Sequence, residues 1–327
     1  MIRGVGRTLE GPNTAGVPVR PEVRPVGAVA PPKADATRNE LRPTESAREL
    51  AREPVVGPLD GETRQVTADA RLDGAVIGTL KGRFPTPTLF VADRLEVVPG
   101  ADAPAVERAF ARAAAAALVP RDGEVLVTEP GSPTGWRAAV EAAGLVLRAS
   151  KACVRRALDA TLPTVAHSFT LRSLSEVGED AFRARVELAA AGDPFDARGA
   201  ADRHRAWREL VASAGDRFDP TSWFLVDDAD GPVGVVLPQS VGADLGTLFY
   251  LGVEPERRGR GLGAAIHGLG LWILAMRGLR RYVGSTDERN APMLRVFARN
   301  GCPVTERDLY FGAPAASRLL HGREGLR

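Results

Sequence analysis

The chain has 327 residues, enough for two modest domains, and 44% of them are apolar, as in a globular protein. Its 43 basic and 41 acidic residues leave a net charge of +2, which does not imply strong non-specific binding to nucleic acid. No apolar run approaches the roughly 18 residues of a membrane-spanning helix, and no apolar signal region follows the first charges, so a soluble cytoplasmic protein is expected. Cys153 and Cys302 lie far apart in strand-like segments and read as small buried hydrophobes. Neither they nor His167, His204, His267 and His321 show metal-ligand spacing, so no metal site is expected; His267 reads as a packed or rim residue.

Residues 1–58 carry many prolines, scattered charges and no aromatic residue; Phe84 is the first. Such a stretch buries too little apolar surface to offset its conformational entropy and reads as a tail, with a short helix allowed over Thr44–Glu53. From about residue 62 a globular pattern begins, and it repeats. Asp73-Gly74 and Asp230-Gly231 read as hairpin turns. Pro99 and Pro255 follow the next strand of each copy. Each Pro is followed by a helix (Ala103–Leu118; Leu262–Met276), a strand (Glu124–Thr128; Leu279–Thr286), a second helix (Pro133–Ala143; Ala291–Asn300) that stops at Gly144 or Gly301, and a closing strand (Leu145–Leu158; Cys302–Phe311). This shared order and spacing predicts two related α/β units with mixed sheets, 62–160 and 165–313, and a short tail over 314–327. Only the second has room for a leading strand (Phe169–Arg172), two helices (Ser175–Ala191 and Ala200–Ala214) and a further strand (Ser222–Val226).

The second unit carries the segment richest in chemistry. Leu251-Gly252-Val253-Glu254-Pro255 reads as the end of a strand, Arg257-Arg258-Gly259-Arg260-Gly261-Leu262-Gly263 as a glycine-rich turn, and the apolar run to Met276 as a helix. Such a turn offers several backbone N–H groups to one phosphate, aided by the positive end of the helix dipole. A Walker-type loop needs a Gly-Lys-Ser/Thr end, and no Lys follows Lys151. A dinucleotide fingerprint needs a third glycine, which falls on Ile266 or Ala264 depending on the start. The first copy has Val98-Pro99-Gly100-Ala101-Asp102-Ala103-Pro104 here; Pro104 lacks an N–H and Asp102 repels phosphate. An Arg/Gly surface turn, or an RNA-contacting segment, is the rival reading of the second copy.

Val253-x-Pro255 followed by Arg258-x-x-Gly261-x-Gly263 resembles the acyl-CoA signature of the GCN5-related N-acetyltransferases. The resemblance is specific over about 167–312 and faint over 62–160, so it implies a tandem form whose first unit has lost its cofactor site. It implies transfer of an acetyl or other acyl group from acyl-CoA to a primary amine, in a ternary complex. Arg258, Gly259, Arg260, Gly261, Leu262 and Gly263 would hold the pyrophosphate, and the backbone of Leu251, Gly252 and Val253 the pantetheine arm. The Val253 N–H would face the thioester oxygen, with Gly252 suited to a bulge. In the family an Asn at the position of Asn290 bonds the cofactor, and a Tyr near the sulfur falls at the position of Phe297. That departure leaves the general acid unassigned. Asp244 and Asp287 are candidate bases, with a turn residue as the bland reading of each, and Tyr310 and Tyr250 candidate acids, with packing as theirs. Gly192–Arg198 reads either as a lid whose Asp193 and Asp196, with Asp202, would attract a cation, or as a solvated loop. An acyl-CoA-binding regulator without turnover is the alternative to an enzyme.

Overall fold

The computed structural model describes residues 53–57, 59, 64–159, 161–162, 167–195 and 203–314. Nearly all of the segment read as an N-terminal tail, and residues 315–327, lie outside the described residues. Val55–Val56, placed in that tail by the sequence, instead forms strand β1 against Arg71 and Ala70, and Glu53 pairs with Arg112. No helix of the described residues is long and apolar enough to cross a membrane.

Alternating apolar positions and tight turns generate the strands of the first half: β2 (Gln65–Leu72), β3 (Ala75–Thr86), β4 (Leu89–Val97), β5 (Glu124–Glu129) and β6 (Val146–Ala157). Asp73 (φ 50°) and Gly74 (φ 84°) both adopt positive φ, the geometry that a two-residue hairpin turn demands. Helices α1 (Ala103–Leu118) and α2 (Trp136–Ala142) follow β4 and β5. The second half has β7 (Thr170–Ser173), α3 (Leu174–Val177), α4 (Glu179–Ala190), α5 (Arg203–Ala214), β8 (Phe224–Asp228), β9 (Gly231–Ser240), β10 (Leu245–Val253), α6 (Leu262–Met276), β11 (Arg281–Asp287), α7 (Ala291–Arg299) and β12 (Val304–Gly312). The single helix expected over Ser175–Ala191 is broken by Gly178, whose φ of 80° no helix accommodates.

All twelve strands join one mixed sheet, in the order β1-β2-β3-β4-β5-β12-β6-β11-β10-β9-β8-β7. The closing strands have changed places. β12 lies between β5 and β6, and β6 lies between β12 and β11, so each half is completed by the other's last strand. The register shows a pseudo-twofold axis. β5 and β11 are equivalent, Gly312 pairs with Glu124 as Ala157 pairs with Arg281, and Arg307 pairs with Glu129 as Ala152 pairs with Thr286. Arg307 and Ala152 are therefore equivalent positions, and they pair with each other.

Helices α1 and α2 share one sheet face with α6 and α7. Leu309 and Phe311 point into the core formed with Phe110 and Trp136, while Val154, four residues and so an even number of alternations from the Ser150 that pairs with Leu309, points into the core formed with Leu271 and Phe297. The opposite face is covered in the second half by α4 and α5, where Phe182, Trp207 and Trp223 pack on Val235 and Leu237. Helix α6 is apolar almost all round, and each buried Leu or Ile contributes about 1.5–3 kcal/mol.

Candidate active site

β10 and β11 run parallel and pair only at their starts, Leu245 with Arg281 and Gly246 with Tyr282; beyond these they part. The cause lies upstream in β10. Leu248 pairs with Pro238 and Leu251 with Val236, so Phe249 and Tyr250 together face the single Leu237. This bulge bends β10 away from its neighbour. The sequence reading put the bulge at Gly252, but Gly252 pairs regularly with Val235. Its missing side chain serves packing instead, since a Cβ there would stand 2.9 Å from Cβ of Ala189 on α4.

The Glu254 N–H donates to the Val233 carbonyl at 2.9 Å, on the β9 side. Strand alternation therefore turns the Val253 N–H and C=O toward the edge that β11 has left. The Val253 carbonyl accepts from Nε of Arg258 at 3.0 Å, and Nη2 of Arg258 donates to the carbonyls of Ala189 and Ala191, both at 2.9 Å. The guanidinium thus satisfies orphan carbonyls at the end of α4 and ties that helix to the end of β10. The Arg258 side chain belongs to the frame of the site, not to the phosphate cradle.

A 3-10 turn, Pro255–Arg257, leads from the strand into the glycine turn. Gly261, with φ of 80°, is the N-cap of α6 and supplies no side-chain acceptor, so the first N–H groups of this helix meet no capping side chain. Arg257 is bound to Asp228 and to the Pro232 carbonyl. On the other wall, Asn290 caps α7 by accepting from the Met293 N–H at 3.1 Å, and Asn300 Nδ2 ties α7 to the Ala264 carbonyl at 3.0 Å.

These elements enclose a cavity of about 590 Å³. Leu251, Gly252, Val253, Arg258, Gly259, Gly261, Leu262, Gly263 and Asn290, the residues that the resemblance assigns to the cofactor, all line it. Arg260, from the same turn, is exposed and outside the lining. Phe297 is a correction. It is 2% exposed and packs on His267 (ring centroids 5.4 Å apart) and Cys302 in the core. Met293 and Val296 take the cavity side of α7, and Phe297 lies a further 100° round the helix.

Three of the other catalytic candidates are corrections too, whereas Tyr250 lines the cavity. Asp244 sits at the start of β10, the opposite end from Val253, and its hydrogen bonds to Arg281 (2.7 and 3.0 Å) hold its carboxyl below the usual range. Asp287 stands at the correct end of β11 but accepts from Arg289 three times at 2.9 Å, which takes its carboxyl down to about 2. Tyr310 lies between Leu126 and Ala149, with Nζ of Lys151 5.2 Å from its ring centre, and burial pushes its phenol up to about 12. None of the three lines the cavity. Asp193 does, its carboxylate accepting from the Phe195 N–H at 2.9 Å, and it is the one carboxylate in the lining among the described residues. Asp196 and Asp202 lie outside the described residues. The sequence reading missed Arg295 and Arg299, although their spacing puts them on one face of α7.

No protein-family model matches the chain. A mycothiol acetyltransferase of Cellulomonas flavigena is 32% identical over 116 residues, 32% of this chain and 33% of that protein. Its counterpart in Streptomyces scabiei is 30% identical over 206 residues, 61% of this chain and 65% of the relative. The chain thus matches about a third of the first of these relatives and just under two thirds of the second. Among solved structures, a GCN5-related N-acetyltransferase from Sphaerobacter thermophilus aligns with a TM-score of 0.50 at 21% identity, over 82% of this chain and 84% of that one, a likeness of fold. The chain is thus similar in sequence to mycothiol acetyltransferases and shares the fold of a GCN5-related N-acetyltransferase.

Proposed function

We propose that this chain is an acyl-CoA-dependent N-acetyltransferase acting through its second half. One observation carries the reading: a helix N-terminus left uncapped by any side chain opens beside a parted strand edge whose Val253 N–H points into the same cavity. Acetyl-CoA supplies an activated thioester. The residues fit such a ligand. The N–H groups after Gly261 accept a diphosphate, and the free edge of Leu251–Val253 accepts a pantetheine arm as an added strand. The Val253 N–H is the donor that stabilises an oxyanion.

Asp193 is the carboxylate placed to take the proton of the attacking amine, directly or through one water. No hydroxyl stands at position 297; Tyr250, which lines the cavity, is the candidate acid that remains, and a thiolate with a pKa near 8.5 can also depart unaided. The relatives are named for mycothiol, and a mycothiol-type acceptor is the first to assay. The first half acts as a scaffold whose own cofactor site has been closed. Titration calorimetry should give one acetyl-CoA site per chain, and thiol release should require an amine. Binding without turnover across an amine panel would convert the reading to an acyl-CoA-binding regulator.

A further inference from the structure

Helix α7 presents Pro292, Arg295, Val296 and Arg299 to the cavity, at the i, i+3, i+4, i+7 positions of one face. Arg295 and Arg299 are both exposed, and neither has a hydrogen-bond or ion-pair partner among the described residues. Their neighbours differ. Arg257 is held by Asp228, and Arg258 by three carbonyls. Like charges one turn apart destabilise a helix, so local energetics disfavour the pair. The helix dipole favours Arg299 in the last turn but does nothing for Arg295 in the middle. Nη1 of Arg299 lies 3.8 Å from where a Cβ on Gly261 would stand, which puts this charge beside the glycine turn. Asp193, the one lining carboxylate among the described residues, is on the loop after α4 and not on this wall.

Two guanidiniums on one cavity wall, without a partner among the described residues, suit an anion beyond the one assigned to the start of α6. Coenzyme A carries such a group, a phosphomonoester on its ribose, which is close to a dianion at neutral pH and matches planar guanidinium donors. Resting on the cofactor assignment above, we propose that Arg295 and Arg299 bind this ribose phosphate and so select coenzyme A over its dephospho form.

The test is calorimetric titration of the full chain with coenzyme A and with 3′-dephospho-coenzyme A, in wild type, Arg295→Gln and Arg299→Gln. The wild type should prefer coenzyme A by about tenfold or more, the worth of a charge-assisted contact. Each variant should lose most of that preference while its affinity for the dephospho form stays unchanged, and added salt should narrow the wild-type preference. Equal wild-type affinities for the two ligands would overturn the arginine assignment alone. So would variants that weaken both ligands alike, because the arginines would then serve the diphosphate or the fold. Wild-type protein that binds neither would overturn the cofactor assignment together with this one.

Discussion

The helices that follow β4 and β10 begin in opposite ways. In the first half, Asp102 caps α1 with its own carboxylate, accepting from the Ala105 N–H at 3.3 Å, and a proline occupies the first turn. In the second half, Gly261 caps α6 with nothing, and Gly263 follows within the first turn. The first arrangement is what helix stability selects, since a side-chain cap satisfies an orphan donor and an acidic group complements the dipole. The second gives up that stabilisation and keeps its N–H groups available. The departure from the stabilising choice marks the half with the cavity.

The largest expected effect concerns whether the halves can be parted at all. A fragment beginning at Leu162 lacks β5 and β6, so β12 loses both partner strands and β11 loses its antiparallel neighbour. Unpaired edges of that length template aggregation. The fragment should be insoluble or lack a cooperative unfolding transition by circular dichroism. A soluble monomer that unfolds cooperatively would show that the exchanged strands are dispensable.

Next in size is the effect of giving the second helix the first one's chemistry. A Cβ on Gly263 meets only Val296 at 3.5 Å and Val253 at 3.8 Å, ordinary contacts, so the backbone there has room for the first side-chain atom of Gly263→Asp. An acid in the first turn should leave stability unchanged or raise it by about 0.3–1 kcal/mol. The same charge stands where a diphosphate would approach, and acetyl-CoA affinity should fall by about 100-fold or more, as for like charges opposed in a site of reduced dielectric. Affinity that survives would remove the start of α6 from the proposed phosphate site.

A third test uses a feature that the second half alone carries. His267 is fully buried on α6, with Nε2 3.1 Å from the Tyr282 hydroxyl, and burial takes its pKa down to about 3. Because the folded value lies below the unfolded one, the unfolded chain takes up a proton that the folded chain refuses. Stability is unaffected above pH 6.5 and declines as pH falls from 6.5 toward 3, by at most about 1.4 kcal/mol per pH unit. His267→Gln keeps a hydrogen-bonding group toward Tyr282 and does not titrate. Its melting temperature should therefore fall less between pH 7 and pH 4.5 than that of the wild type; parallel curves would assign the acid sensitivity elsewhere.

The sequence exposes local order better than partnership. The hairpin turns, the glycine turn, the helix behind it and the Asn290 cap all follow from turn chemistry and periodicity over short windows. The strand exchange does not, because the segments of β6 and β12 carry the same alternation whichever half they join. The bulge at Phe249 and Tyr250 carries no glycine to announce it, whereas the nearby Gly252 pairs regularly. The motif's spacing puts Phe297 at the position near the sulfur, whereas its direction is fixed by the face of α7 that meets His267. Asp244 and Asp287 illustrate another limit. Their arginine partners, Arg281 and Arg289, are visible as residues, but the pairing that disqualifies each carboxylate as a base exists only once the strand ends are built.

The smallest expected effect completes the contrast between the two helix starts. Asp102→Ala in the first half removes the cap of α1 and leaves the Ala105 N–H without its side-chain acceptor. The cost should be about 1 kcal/mol of stability, read as a lower denaturant midpoint at unchanged m. The newly available N–H groups should gain no affinity for acetyl-CoA, because Pro104 supplies no donor in this turn. Calorimetry on this variant should therefore still report one site with the wild-type affinity. A second site would show that Asp102 alone had closed the first half. A loss of affinity at the existing site would show that the first half does more for the second than support its sheet.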